Sequence, residues 1–175
     1  MANRVYSDRY KRAVRRISVE ASWLFTYQTT LARLNKVERI GFFHVATNAI
    51  LGDRLIRLVR VFDEHKDAAA FWYLHRCNPT CVEQGIKGSG TTLSELRHLS
   101  DRLKQVRDKT FIHIDKGSVF NPEMVYRKAG VKNLNRIITA LWRTMETIFQ
   151  VTFGEGFPSA TYLGEDIETL AKAPR

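Results

Sequence analysis

Apolar residues recur along most of this chain at steps of three and four, which is the spacing of one face of an α-helix. The clearest case is the segment NLNRIITALWRTMETIFQV, whose wide apolar face contains Leu134, Ile137, Ile138, Leu141, Met145, Ile148 and Phe149. No segment shows the sustained alternation of apolar and polar residues that is typical of a half-buried strand. The sequence therefore predicts an all-α fold, an up-and-down bundle of about five to seven helices.

Local signals mark where several of these helices begin. Ser7 is a typical N-cap residue in front of the first periodic segment. Thr92 and Glu95 have the spacing of a capping box, in which each side chain binds a backbone N–H of the other residue. In NPEMVYRKAG, Asn121 and Gly130 are placed as the cap and the terminator of one short helix. We expect helices to begin directly after Ser7, Thr92 and Asn121.

The stretch between the first helix and Thr92 has a mixed pattern. GFFHVATNAILGDRLIRLVRVFD is apolar almost all round until Arg54, Arg57 and Arg60 form a basic row, which predicts a buried central helix. DAAAFWYLHRC predicts a shorter helix that stops before Asn78-Pro79, because proline disfavours helical backbone in the preceding residue. NPTCVEQGIKGSG follows with three glycines and no periodicity, so it predicts a surface loop.

Length and composition place these helices in one folded domain. A chain of 175 residues with 44% hydrophobic residues can bury a core without disulfides or metals. We assign residues 1–153 to this helical domain and 154–175 to a C-terminal tail with a short helix around EDIETLAK. No apolar run approaches the roughly 20 residues of a membrane span, and the N-terminus is too charged for a signal peptide. We therefore expect a cytoplasmic protein with no membrane partner.

The charge balance points to a polyanionic partner. The chain has 28 Lys and Arg against 18 Asp and Glu, a formal net charge of +10. Positive charge raises affinity for nucleic acid by displacing counterions, although it also keeps proteins soluble. The aromatic residues at helical spacing are typical of a core or a dimer interface rather than of a base-stacking platform. They are Trp23, Phe25, Trp142 and Phe149.

Two conventional ligand sites are not favoured. His75, Cys77 and Cys81, with His98 further along, form one irregular cluster, whereas a structural zinc site needs four ligands at recognised spacings. GIKGSGTT lacks the Lys-Ser/Thr ending of a Walker loop and no strand precedes it, so an interhelical loop is the better interpretation. We expect no metal and no cofactor. Two other histidines, His44 and His65, have no partner that the sequence identifies.

The segment KQVRDKTFIHIDK combines residues that suit phosphodiester chemistry. Arg107 and His113 supply two suitable residue types. Arginine stays charged and can bind two phosphate oxygens, and histidine side chains ordinarily titrate near neutral pH. Cleaving RNA without a metal needs a base for the 2′-hydroxyl, an acid for the leaving 5′-oxygen and a fixed positive charge at the phosphorane. Asp108 and Asp115 are positioned to orient a ring or a guanidinium.

Ideal helix geometry leaves a second interpretation open. In an undistorted helix Arg107 and His113 are roughly 120° apart around the axis and about 9 Å apart along it. His113 also continues the apolar stripe of Leu99, Leu103 and Val106, which favours a histidine that faces a core or a partner helix. The two side chains converge only if the helix ends or kinks near Thr110, or if a second copy completes the site across a two-fold axis.

The same segment resembles the R-x(4–6)-H signature of HEPN domains, in which a polar residue commonly follows the arginine. Here Arg107-Asp108 is followed by KTFI and His113, and LSDRLKQVRDKTFIHIDKG stands downstream of ILGDRLIRLVRVFDEHKDAAAFWYL. The resemblance spans roughly residues 50–116 and is to the abortive-infection branch of that superfamily, the AbiU-like proteins. The short signature is moderately specific when it stands in a basic, all-helical chain of this size.

The resemblance implies a homodimeric HEPN-like bundle that cuts RNA without a metal, as a phage-defence or toxin–antitoxin endoribonuclease. Arg107 would stabilise the scissile phosphate, His113 would act as base or acid, and Asp108 would match the polar position. RNA and an antitoxin protein are the implied partners, and a 2′,3′-cyclic phosphate is the expected product. One toxin branch of the family is regulated by modification of a tyrosine two residues after the histidine. This chain has Asp115 at that position, so we do not expect the same regulation.

Three further basic residues are predicted to lie nearest the RNA, namely Arg102, Lys109 and Lys116. The alternative function is a noncatalytic HEPN-like module that binds nucleic acid, a nucleotide or a protein partner through the same cleft, because many HEPN proteins do not catalyse a reaction. Only turnover distinguishes the two.

Overall fold

The computed structural model describes residues 6–36, 41–108 and 133–158, together with positions 162, 164–167 and 169. Within these residues the chain forms six α-helices and no β-strand, which confirms the predicted all-α class. None of the described helices combines the length and the apolar content that a membrane span requires. The helix predicted after Asn121 lies outside the described residues.

The six helices follow one another in the order α1 (Asp8–Leu34), α2 (Phe42–Val61), α3 (Phe71–Cys77), α4 (Pro79–Lys87), α5 (Leu93–Val106) and α6 (Leu134–Phe153). The predicted caps are confirmed at two of their starts. Ser7 Oγ accepts a hydrogen bond from the Tyr10 N–H at 3.2 Å, and both bonds of the Thr92/Glu95 capping box are present. The α6 helix ends at Gly154, which adopts the left-handed backbone (φ +70°) that favours glycine.

The core forms where α6 packs along α1 and α4 and where α2 packs on α1. The predicted apolar face of α6 is largely buried, through Ile138, Leu141, Met145, Ile148 and Phe149. Burial of each side chain of this size contributes about 1.5–3 kcal/mol. Trp72 of α3 is also buried, and its Nε1–H donates to Ser100 Oγ at 3.0 Å. Ser100 in turn donates to the Phe62 carbonyl at 2.9 Å, so α5 is tied to the end of α2.

The prediction that α2 is a buried central helix is wrong. At its start Phe42 is 74% exposed and Val45 is 65% exposed, and only one face, which includes Leu55 and Leu58, is buried. The predicted basic row is also divided in the structure. The Arg54 side chain is buried against α6, where it bonds Asn135, whereas Arg57 pairs with Glu20 of α1 and Arg60 is exposed. Arginines three residues apart differ by about 60° around a helix, enough to reach different neighbours.

The prediction of a surface loop at NPTCVEQGIKGSG is also wrong over most of its length, because α4 occupies Pro79–Lys87. Asn78 caps this helix, with its Oδ1 accepting from the Cys81 N–H at 3.4 Å, and Pro79 stands in the first turn where its missing N–H costs nothing. Val82 and Ile86 are buried on the same face. Because the segment is rich in glycine, its sequence did not indicate this short amphipathic helix. The helix is stabilised by its packing on α6.

Described residues beyond α6 contact the bundle. The Ser22 hydroxyl of α1 donates to the Pro158 carbonyl at 2.8 Å, and the ring of Phe157 packs edge-on against Trp142 of α6. Trp142 stacks on Phe25 of α1 with ring centroids 5.2 Å apart. These aromatic residues therefore join helices within one chain.

Candidate functional site

Arg107 lies where α5 changes its helical geometry. The α-helix ends at Val106, and the Arg107 N–H donates to the Leu103 and Lys104 carbonyls. Residues 107–108 lie in a π-helical turn. Leu99, Leu103 and Val106 bury the preceding stripe in the core, as the sequence predicted, which fixes the direction in which the end of α5 points. Local π-helical turns are rare and are found frequently at functional sites. Arg107 itself is half-buried, with 32% of its side chain exposed.

Two carboxylates orient the Arg107 guanidinium. Its Nε–H donates to Asp108 Oδ1 at 3.0 Å, and its Nη1 donates to Asp63 Oδ1 at 3.4 Å. The Asp63 side chain is 30% exposed and that of Asp108 is 46% exposed, so water reaches the whole group. A guanidinium carries five N–H donors, and these two bonds use two of them. The arrangement holds the planar side chain in one orientation while solvent, and hence an anion, has access to it.

A groove of about 290 Å³ runs beside Arg107, between α5 and the connection that follows α2. Its described lining includes Asp63, Glu64, His65, Lys104 and Arg107. Glu64 is engaged by Arg97, and its Oε1 lies 3.3 Å from the Ser100 hydroxyl oxygen. The groove therefore contains similar numbers of basic and acidic groups and is not a purely positive patch.

The structure brings some of the predicted site residues together and separates others. Arg107 and Asp108 are in direct contact. Arg102 does not line the Arg107 groove; it lines a separate cavity together with Arg54 and Arg136. Five residues along an α-helix rotate the side chain by about 140°, which accounts for this separation.

The other predicted site residues, His113, Lys109 and Lys116, lie outside the described residues, as does Asp115. The convergence of Arg107 and His113 on one phosphate therefore stays a prediction. So does the proposed half-site from a second copy of the chain.

Asp63 and His65 are residues of this groove that sequence reasoning missed. Asp63 is 44 residues away from Arg107 in the chain, so no local spacing links the two. His65 was left without a partner, yet its backbone N–H donates to Asp63 Oδ1 at 3.0 Å and its ring faces the Asp67 carboxylate at 3.9 Å. The only sequence signal was the cluster of acidic and histidine residues in DEHKD, directly after α2.

In the part of the chain that the structure describes, no three His, Cys, Asp or Glu side chains gather as a metal site would require. His75 instead lies beside the Glu83 carboxylate, with Nε2 to Oε1 at 3.6 Å. Cys77 is exposed and Cys81 is buried. Comparisons of the chain with protein-family models, with curated proteins and with solved structures each found no match.

Proposed function

We propose that this chain is a metal-independent endoribonuclease of HEPN type, acting as a homodimer in phage defence or as the toxin of a toxin–antitoxin pair. The observation that carries the proposal is the geometry of Arg107. Its guanidinium stands at a π-helical turn, is oriented by Asp108 and Asp63, and remains one-third exposed beside a groove. Pre-oriented cationic donors of this kind stabilise charge that develops on a phosphorane. The formal charge of +10 supports RNA as the partner.

In the proposed reaction the ribose 2′-oxygen attacks the adjacent phosphorus and the bond to the 5′-oxygen breaks. A base takes the proton of the 2′-hydroxyl, an acid protonates the leaving 5′-oxygen, and Arg107 binds the non-bridging oxygens. His113 serves as base or acid, and the second proton carrier comes from the other protomer's Arg–His pair. The products are a 2′,3′-cyclic phosphate and a 5′-hydroxyl.

The direct test is incubation of the purified protein with labelled RNA in EDTA. Arg107→Ala and His113→Ala should each lower the cleavage rate by about 100-fold or more, the range expected when a charge-stabilising or proton-transferring group is lost. Arg143→Ala, which removes an exposed arginine from α6, should cleave as the wild type does. Equal cleavage by all four proteins would identify a contaminating nuclease and refute the proposal, and so would cleavage that EDTA abolishes.

The same geometry is compatible with the second candidate, a noncatalytic module that binds nucleic acid, a nucleotide or a protein partner. Arg107 already has two carboxylate neighbours, which is typical of a structural arginine as well as of an oriented catalytic one. Asp63→Asn distinguishes the two functions. In the nuclease it should lower turnover because Arg107 loses an orienting group. In a binding module it should tighten RNA binding, measured by fluorescence anisotropy, because a competing negative charge is removed, and no variant should cleave.

A further inference from the structure

A second cavity, of about 330 Å³, lies between α2, α5 and the first turn of α6. Small-molecule sites in proteins commonly measure about 300–1,000 Å³, so this cavity is large enough for a compact organic ligand. Residues at helical spacing line it from α2, through Leu51, Leu55 and Leu58, and from α5, through Leu99 and Arg102. Among the described residues, two long helices therefore supply most of its walls.

The walls of the cavity are aliphatic. Seven of its thirteen described lining residues are leucine or isoleucine, and they include the buried side chains of Leu55, Leu58 and Leu99. A surface that only follows a nucleic-acid backbone needs cations and hydrogen-bond donors, and gains little from such walls. The cavity instead favours a ligand with an apolar body.

The polar lining of the cavity is dominated by arginine. Arg54, Arg102 and Arg136 stand against a single described carboxylate, that of Glu95, which leaves a formal charge of +2. The Arg54 guanidinium is buried and is held by Asn135, whose Oδ1 accepts from its Nη2 at 2.6 Å. Glu95 is bound by Arg136, and the pKa of its carboxyl is lowered by that contact. Arg102 is exposed at the rim.

The start of α6 adds to the positive field. This helix has 20 residues, and its N-cap residue Asn133 and three residues of its first turn, Leu134, Arg136 and Ile137, line the cavity. The Asn133 side chain forms no capping hydrogen bond with the backbone N–H groups of that turn. The N-terminus of a helix attracts anions through these groups and through the helix dipole. Three arginines and a helix start thus line a cavity whose other walls are aliphatic.

We propose that this cavity binds a small amphipathic organic anion. The apolar body lies against the leucine walls, and a carboxylate or phosphate head binds Arg102 and Arg136 near the start of α6. Arginine suits either head group because its planar donors match two oxygens at once. The proposal does not depend on RNA cleavage, because Arg107 lines the other groove.

The test uses the full chain and a fluorescent aromatic anion, 8-anilinonaphthalene-1-sulfonate, which is displaced by three ligands with the same ten-carbon tail. Decanoate and decyl phosphate carry a negative head, and decanol is their neutral match. Both anions should displace the probe at concentrations at least about tenfold lower than decanol, the factor that one charge-assisted hydrogen bond supplies. Whichever of the two anions binds more tightly identifies the head group.

Variants place the binding in this cavity. Arg102→Gln removes an exposed charge from the rim and should weaken decanoate binding about fivefold or more, whereas Arg143→Gln removes an exposed charge that does not line the cavity and should change nothing. Ile137→Trp fills the cavity and should abolish displacement of the probe by the two anions. Thermal unfolding checks that this variant is folded. If this variant does not fold, Arg102→Gln against Arg143→Gln decides the question.

Three results would overturn the proposal. If decanol displaces the probe as potently as decanoate does, the arginines have no role in binding. Equal weakening by Arg143→Gln would show that the protein binds these anions through its overall charge. Displacement of the probe by an RNA oligonucleotide but by neither anion would assign the cavity to nucleic acid.

Discussion

Arg57 lies at the contact between α1 and α2, where its guanidinium meets two carboxylates and two aromatic rings. Its Nη1 donates to Glu20 Oε2 and its Nε to Asp53 Oδ2, both at 2.7 Å. The guanidinium also lies 5.2 Å from the ring centroid of Trp23 and 5.6 Å from that of Tyr27, whose hydroxyl donates to Asp53 at 2.6 Å. Burial alone would lower the pKa of Arg57, but these carboxylate partners raise it, so the side chain stays charged.

Replacing Arg57 by methionine should lower the free energy of unfolding by about 1–3 kcal/mol. Methionine retains much of the apolar stem but leaves Glu20, whose side chain is 12% exposed, without this cation. Arg60→Met, three residues further along α2 and exposed, should change stability by less than about 0.5 kcal/mol. Urea unfolding followed by circular dichroism measures both. A loss at Arg57 no larger than that at Arg60 would contradict the role of this contact.

The pH dependence of stability should report on Asp53. Burial raises the pKa of its carboxyl, but hydrogen bonds from Tyr27 and Arg57 outweigh burial and lower it. A carboxyl whose pKa is lower in the folded state stabilises the fold above its unfolded pKa, near 3.9, and loses this contribution as the pH falls through the folded pKa. We therefore expect the wild type to lose stability between about pH 5 and pH 2.5 more steeply than Asp53→Asn does. Identical slopes in urea titrations at several pH values would argue against this ionised contact.

At the scale of the helices, the contact between α4 and α6 depends on one glycine. A Cβ atom added at Gly85 would lie 3.0 Å from the Thr144 backbone oxygen and 3.1 Å from its methyl group. Backbone cannot move aside as a side chain can, so the two helices approach each other only because this position has no side chain. The glycine that made NPTCVEQGIKGSG resemble a loop is therefore what allows α4 to pack.

Gly85→Ala should destabilise the protein by about 1–3 kcal/mol because it overpacks this contact. Gly88→Ala is the matched control, since a Cβ there meets nothing within 4 Å and its φ of −91° is open to alanine. That change should be neutral or stabilise by up to about 1 kcal/mol, through the lower entropy of the unfolded chain. Thermal unfolding of both variants gives the comparison, and a Gly85→Ala variant as stable as Gly88→Ala would show that the contact is not tight.

At the scale of the whole molecule, the net charge predicts how nucleic-acid binding depends on salt. Nucleic-acid binding by a protein with a formal charge of +10 should weaken steeply with salt, because each phosphate contact releases a counterion. Four predicted contacts, at Arg102, Arg107, Lys109 and Lys116, correspond to a slope of log K against log salt of about −3 for single-stranded RNA. The groove beside Arg107 also contains acidic groups, which do not bind phosphate. Only the basic residues therefore contribute to this slope.

Arg102→Gln should reduce the salt slope by about 0.7 if this side chain contacts a phosphate, whereas Arg143→Gln should leave the slope unchanged. Fluorescence anisotropy with a labelled single-stranded RNA at four or five salt concentrations measures it. An unchanged slope in Arg102→Gln would remove Arg102 from the RNA-binding residues and assign it to the cavity between α2, α5 and α6 alone.

Features that depend on residues close together in the chain could be predicted from the sequence, whereas contacts between distant residues could not. The caps at Ser7 and Thr92, the buried stripe of α5 and the apolar face of α6 were predicted correctly, because each depends on residues three or four positions apart. The helix α4 was missed because its packing on α6 outweighs its low intrinsic propensity. The contact between Arg107 and Asp108 could be expected because the two residues are adjacent in the chain, and their role in a site stays a prediction.

The amino-acid sequence by itself determined the all-helical class, the starts of α1 and α5, and the apolar faces of α5 and α6, since these follow from local hydrogen bonding and periodicity. Only the tertiary structure decided that Asp63 meets Arg107, that Arg102 lies in a different cavity with Arg54 and Arg136, and that only one face of α2 is buried. These are contacts between residues tens of positions apart. Which helix faces which is decided by packing the whole core at once, and no local pattern encodes that choice.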